Sequence, residues 1–396
     1  MSIPFVAGIV GWGTNWVAIK MLFFPIEPFG KPPYLGWQGI LPSKAEKMGA
    51  ITADTTLSKL GTTREVFDAM EPDIIAAHLV ETIYPRIDDY IEWIMMEENP
   101  EVWELLPGMI KSLLISMVRN KLPEIIKNMM NEIGENINHV LNLKHTVILQ
   151  LQKEKRIVNR IFLECGSKEF AFIIKSGFYF GFLFGLIQML VWYFYPAWWI
   201  LPFFGILVGF ATNWIALRII FQPLNPKKIG PFILHGLFLK RQSEVADIWC
   251  EIVTEEIITI RNIINDMLTG PHSEYTQRII RKHIRSVVDE AVGITKPLIQ
   301  FTVGVKEFMN IKETATEKAI FATTTAFDDP VFNKDRAKVV KAMIQNRMEA
   351  LSSEEFQYLL RPAFQEDELK LVILGAVLGF GAGIAQLFFI FGGIGT

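Results

Sequence analysis

Four stretches of the chain are almost uninterruptedly apolar: residues 3–24, 171–194, 198–221 and 371–394. Each is long enough to cross about 30 Å of hydrocarbon as a helix. The last contains no charged residue. The first lacks a basic leader and carries Lys20 at its far end, the reverse of a secretory signal, and is expected to be retained as a span. Between the spans lie residues 45–168 and 242–368, where the pattern turns amphipathic. Ile257, Ile260, Ile264 and Met267 step round one helical face, and Ile110, Leu113, Leu114, Met117 and Ile125 make a comparable stripe. Pro123 marks a helix restart in that stripe, while Thr62 with Glu65 and Ser352 with Glu355 fit capping boxes. No succession of strand-like alternations interrupts this texture. The pattern predicts an all-α membrane protein of four transmembrane helices carrying two helical inserts.

The spans repeat. GWGTNWVAIKMLFFPIEP, beginning at Gly11, returns as GFATNWIALRIIFQPLNP, beginning at Gly209. Thr14, Asn15, Trp16, Ala18, Phe23, Pro25 and Pro28 recur as Thr212, Asn213, Trp214, Ala216, Phe221, Pro223 and Pro226, all at an offset of 198 residues. Lys20 recurs as Arg218. The second and fourth spans share that offset: Gly177, Gly181, Gly185 and Gln188 match Gly375, Gly379, Gly383 and Gln386. The offset is half the chain, so residues 1–197 and 198–396 are expected to be tandem copies, each running span, insert, span.

Four spans place both inserts on one side of the bilayer, with the pseudo-twofold axis along the membrane normal rather than in its plane. Lys20, Lys31, Lys44, Lys47, Lys168, Lys175, Arg218, Lys227, Lys228, Lys240, Arg241 and Lys370 all lie at the ends facing the inserts. MSIP, YFYPAWW and GGIGT contain no Lys or Arg. The positive-inside rule therefore predicts cytoplasmic inserts and outside termini in a prokaryotic inner membrane. Tyr193, Tyr195, Trp198 and Trp199, around the helix-interrupting Pro196, suit the opposite interface as an aromatic belt.

Helical spacing puts Gly11, Asn15 and Ala18 on one face, and Gly209, Asn213 and Ala216 on its counterpart. Glycine at four-residue steps, Gly177–Gly181–Gly185 and Gly375–Gly379–Gly383, gives smooth ridges for close helix packing, against the Asn-bearing helices or against each other. Two readings fit the polar set Thr14, Asn15, Gln188, Thr212, Asn213 and Gln386. They hold helices together, or they line a midplane substrate or lipid site. Lys20 and Arg218, with Lys44 and Arg241 beyond, are candidates for anionic-lipid contact. The linkers KPPYLGWQGILPSK and KKIGPFILHGLFLKR align with one deletion, pairing Gly39 with Gly236 and Lys44 with Arg241 but Pro42 with Leu239. Trp37, Ile40, Leu41, Phe232, Ile233, Leu237 and Phe238 would rest on the bilayer surface or pack against the inserts.

Composition changes this picture little. Of 396 residues, 51% are hydrophobic, and the net charge of -3 gives no reason to expect nucleic acid as a partner. Cys165 and Cys250 are too few for a disulfide scaffold and read as buried or free thiols. Residues 65–104 are strongly acidic with only Arg86 as a base, a solvated face or a site for a basic partner or divalent cation. No GxxxxGK[ST], HExxH, GxSxG or dinucleotide loop occurs, and the histidines at 78, 139, 145, 235, 272 and 283 have no ligand spacing. No cofactor or metal is expected. A non-enzymatic scaffold that organises protein or lipid is favoured, a transporter or lipid-handling protein stands second, and an enzyme with its site in the inserts third. Membrane lipids are the expected partners, with a cytoplasmic protein or a second copy of the chain beside them.

The TNWxAxxxxFxP core, at Thr14 to Pro25 and again at Thr212 to Pro223, resembles an uncharacterised family of bacterial membrane proteins, the domain-of-unknown-function family DUF445, UPF0754-like. The resemblance extends over nearly the whole chain. It implies a bacterial cytoplasmic membrane and supplies no catalytic or binding residues.

Overall fold

The computed structural model describes residues 3–31, 35–299 and 305–391. Met1, Ser2 and residues 392–396, which helped to orient the chain above, lie outside the described residues, as do the side chains of Phe232 and Ile233. The chain forms two compact units: residues 1–59, 148–252 and 345–396 in the first, and 60–147 with 253–344 in the second.

Four helices of the first unit are long and apolar enough to cross a membrane: Ile3–Phe23, Ser167–Phe194, Ile200–Phe221 and the stretch Glu368–Phe388. The fourth belongs to a longer helix, Ser353–Phe391, so the polar insert runs into the span without a break. The first span packs along the second, the third along the fourth, and the second against the third. Their outer faces are apolar. Phe5, Ile9, Trp12 and Trp16 project from the first span while Gly11, Asn15 and Ala18 are buried on the other side. A helix with greasy outside and small or polar inside is built for lipid, whose tails solvate Phe and Trp and leave packing to the small residues. The protein is an all-α, multi-pass membrane protein, and its spanning helices contact lipid. Tyr193, Tyr195, Trp198 and Trp199 are all exposed around the turn between the second and third spans.

Each odd-numbered span ends in a short hairpin, too brief to show as alternation in the sequence. Phe29–Lys31 pairs with Leu35–Trp37, and Lys227–Ile229 with Phe232–Leu234, both antiparallel. The chain then returns to the helix end. Gly39 N–H donates to Pro25 O at 2.9 Å, and Gly236 N–H to Pro223 O at 3.0 Å. A Cβ on Gly39 would stand 2.7 Å from the carbonyl carbon of Phe23, and one on Gly236 2.8 Å from Ile220 O, so neither position has room for a side chain. Pro42 and Leu239, unlike in sequence, are both buried. Leu41 and Phe238 are buried too, with Phe238 stacked on Phe356 at 5.4 Å; Trp37 stays partly exposed and donates its indole N–H to Phe24 O at 3.2 Å.

The second unit draws helices from both inserts into one core. Pro72–Ile83, Ile87–Glu98 and Gly108–Glu135 pack with Ser273–Ile299 and Val305–Ala326. Ile257, Ile260, Ile264 and Met267 are buried as their spacing predicts. Two expectations need correction. Gly108–Glu135 runs unbroken through Pro123. Packing on both sides of the proline, by Leu114, Val118 and Leu122 before it and Ile126 and Met129 after, offsets the roughly 3 kcal/mol that an interior proline costs. Within the stripe, Leu113 lies off the inward face, 50% exposed, while Leu114 and Met117 are half-buried. The capping boxes at Thr62 and Ser352 form, each Glu accepting from the cap backbone and each hydroxyl from the Glu backbone.

Candidate functional site

The buried polar groups of the spans follow from close helix approach. Asn15 is wholly buried and donates its Nδ2 to the carbonyl of Ile173 at 2.8 Å; Asn213 donates to that of Leu371 at 3.1 Å. Both bonds join residues 158 apart in the chain. Glycine makes the approach feasible. A Cβ on Gly177 would meet Gly11 O at 2.5 Å and Asn15 Nδ2 at 2.6 Å, and one on Gly181 would meet Ala7 O at 2.6 Å. On the other pair, a Cβ on Gly375 would meet Gly209 O at 2.6 Å and one on Gly383 Leu201 O at 2.6 Å. Gly379 packs on Gly205, a glycine the repeat does not share with the first span, whose equivalent is Ala7. Each glycine ridge thus lies against an Asn-bearing helix.

The polar set occupies two levels. Asn15 bonds at the level of Ile173, whereas Gln188 lies fifteen residues further along the same helix, about 22 Å away at 1.5 Å per residue. Gln386 stands in the same relation to Leu371. The asparagines and glutamines therefore do not share a pocket. Thr14 donates to Gly11 O at 3.2 Å, and Ser176, which the repeat does not mark because Leu374 stands at its offset, to Ile173 O at 3.0 Å. Asn15 Oδ1, Asn213 Oδ1, Thr212 Oγ1 and Gln386 Nε2 are buried without a hydrogen-bond partner.

A third level lies at the charged helix ends. Arg241, only 13% exposed, donates to Glu169 at 2.5 Å and Glu244 at 2.9 Å, and Lys168 donates to Glu244 at 2.8 Å. Hydrogen bonds from Arg241 and then Lys168 hold the Glu244 carboxyl down at about 2. Burial works against the Arg241 charge, but Glu244 and Glu169 outweigh it and push its pKa up. Burial drives the Cys165 thiol up to about 12; Cys165 and Cys250 are both buried and not joined in a disulfide. Of the candidate lipid contacts, Lys20 and Arg218 are exposed, lying over Phe24 at 5.2 Å and Trp214 at 4.7 Å; Lys44 is half-buried, and Arg241 is engaged by carboxylates. Asn159, also unforeseen, donates to Phe23 O at 2.6 Å and caps the first span. A cavity of about 50 Å³ here is lined by Leu22 and Ile220 and by Ile173 and Leu371, pairs that share the repeat offset. None of the intramembrane amides lines it.

In the second unit, cations from distant segments neutralise part of the acidic stretch. Arg336 holds Glu71, Arg119 holds Asp88, and Lys318 holds Glu97 at 2.7 Å. His145 Nδ1 meets Asp266 Oδ1 at 2.5 Å, and His283 Nε2 meets Glu132 at 2.8 Å beside Lys282. These pairings join residues 121 and 151 apart, which is why spacing gave no hint of them. Among the described residues no three His, Cys, Asp or Glu side chains gather as a metal site would require.

Fold and site define a multi-pass membrane protein. Part of the chain is similar in sequence to bacterial UPF0754 membrane proteins, the group that its TNWxAxxxxFxP elements resemble. It is 31% identical over 114 residues to one from Staphylococcus epidermidis, covering 28% of this chain and 30% of the relative. It is 32% identical over 96 residues to one from Trichodesmium erythraeum, covering 23% and 21%, and 25% identical over 109 residues to one from Staphylococcus aureus, covering 26% and 29%. The chain thus spans less than a third of the length of these relatives. No family model and no solved structure matches it.

Proposed function

We propose that the chain is a duplicated membrane anchor, residues 1–197 and 198–396 each contributing a two-span hairpin, which carries helical inserts on the cytoplasmic side and organises membrane lipid or a protein partner there. Both termini would then lie outside. The supporting observation is the pair of bonds Asn15 to Ile173 O and Asn213 to Leu371 O, made at equivalent positions of two glycine-packed hairpins. Amides engaged on backbone carbonyls at tight helix contacts hold helices together and leave little for a passing solute. The test is purification of the full chain with its native lipids, followed by mass spectrometry of what is retained. Enrichment of one lipid class or one protein over the surrounding membrane is expected. Retained lipid that mirrors bulk composition, with no protein enriched, would end the organiser reading.

A second reading has one observation in its favour. Asn15 Oδ1 and Asn213 Oδ1 remain buried acceptors without donors, and such groups in a span are a signature of intramembrane substrate or ion sites. Transport of a radiolabelled solute into proteoliposomes, lost in Asn15→Leu but not in Gln188→Leu, would favour it over anchoring.

A further inference from the structure

The second unit contains a cavity of about 190 Å³, larger than the roughly 150 Å³ engineered apolar void that takes up benzene. Its form can be read from the helices that line it. On Gly108–Glu135 the lining residues run from Leu114 to Met129, and on Val305–Ala326 from Phe308 to Thr323. Each run covers fifteen residue steps, about 22 Å of helix. So small a volume drawn out over that length is a slot about one hydrocarbon chain wide. Alanines make it: Ala315, Ala319 and Ala322 leave space where larger side chains would meet the opposite helices.

The chemistry of the wall is as narrow as its shape. The lining is overwhelmingly Leu, Ile, Val, Met and Ala, and its two polar side chains on Val305–Ala326 are already engaged. Thr323 donates to Ala319 O at 2.8 Å, and the Lys318 ammonium pairs with Glu97 at 2.7 Å and lies over the Trp93 ring at 3.6 Å. Tyr90 adds one hydroxyl to the wall, so water gains few hydrogen bonds in such a space. A peptide helix, about 10–12 Å across with its side chains, is too wide for it. A flat ring system would leave most of its length empty. A linear chain of methylenes fits both length and lining, and flexible Met95 and Met129 can adapt to it.

We propose that this slot binds one long acyl chain, with the polar head group outside it. The proposal deepens the organiser reading by naming the lipid feature recognised, and rests on that reading only for the source of the ligand, a free fatty acid or a chain of a membrane lipid.

The test uses the full chain in phosphatidylethanolamine–phosphatidylglycerol nanodiscs with two probes, photoreactive palmitate and a phospholipid bearing the same photoreactive chain. Crosslinked peptides are mapped by mass spectrometry. Labelling within 114–129 and 308–323 is expected, and the probe responsible identifies the source. Ala315→Phe, which fills the slot, is expected to cut that labelling at least fivefold while labelling of Ile200–Phe221 stays unchanged. If neither probe labels the two segments, or if Ala315→Phe labels like the wild type, the inference is overturned. Should circular dichroism show Ala315→Phe misfolded, Ala319→Val is judged by the same criterion. Loss of span labelling with slot labelling intact would instead strike the membrane reading and leave the slot standing.

Discussion

Asn15 donates its side-chain amide to the backbone carbonyl of Ile173 at 2.8 Å, joining the first two spans where they meet. The bond forms because Gly11 and Gly177 let the two backbones touch. The glycines should therefore matter more than the amide. Asn15→Leu removes one interhelical hydrogen bond and is expected to destabilise the bundle by about 1 kcal/mol. Gly177→Leu forces the helices apart along the whole contact and should cost several-fold more. Thermal unfolding in nanodiscs measures both, and equal losses would mean that the glycine contact is loose. Gly375→Leu and Asn213→Leu should repeat the same ranking in the other hairpin.

The charged helix ends allow a second prediction. Glu169 and Arg241 are 4% and 13% exposed, so removing one partner strands a buried charge. Arg241→Met alone is expected to destabilise by about 3–5 kcal/mol, whereas Arg241→Met combined with Glu169→Leu should recover most of the loss. A double-mutant cycle on unfolding free energy gives the coupling. Simple additivity would show that the pair is not a unit.

Glu244 gives the third, in pH. Its carboxyl is held at about 2, below its ordinary 4.5, chiefly by Arg241 and then Lys168. For an acid whose pKa is depressed on folding, the stabilisation is complete above the unfolded value and disappears as pH falls through the folded one. The difference in melting temperature between wild type and Glu244→Gln should be full above about pH 4.5 and shrink toward zero near pH 2. It should be small throughout, because Glu244 is 42% exposed and screened by solvent. A difference that grew on acidification would contradict the assignment.

Much of this architecture was legible because lipid imposes a coarse and strict grammar. A span must be apolar for some twenty residues, so the predicted 3–24 and 198–221 agree with Ile3–Phe23 and Ile200–Phe221 to within two residues. The other two helices begin earlier than their apolar runs, at Ser167 and Ser353, because hydropathy marks where lipid starts and not where hydrogen bonding does. The Asn and Gly positions stood out because each occurs twice at one offset. Arg241 with Glu169 did not, since Arg241 ends the second linker and Glu169 lies in the first turn of the second span's helix, 72 residues away. Asn159, His145 and the acyl slot escaped for the same reason. They arise where segments more than a hundred residues apart meet, and no local pattern records such a meeting.

The most direct test of the whole account is where the inserts lie. Cys165 and Cys250 are buried, and Cys165 is held protonated by a pKa of about 12, so neither should react with a membrane-impermeant maleimide on native cells. Into that background go single exposed cysteines: Glu101→Cys in the first insert, Lys334→Cys in the second, and Tyr195→Cys in the turn between the second and third spans. With both inserts in the cytoplasm, Tyr195→Cys is labelled on intact cells, and Glu101→Cys and Lys334→Cys only after permeabilisation. Labelling of the two inserts from opposite faces of the membrane would contradict that placement.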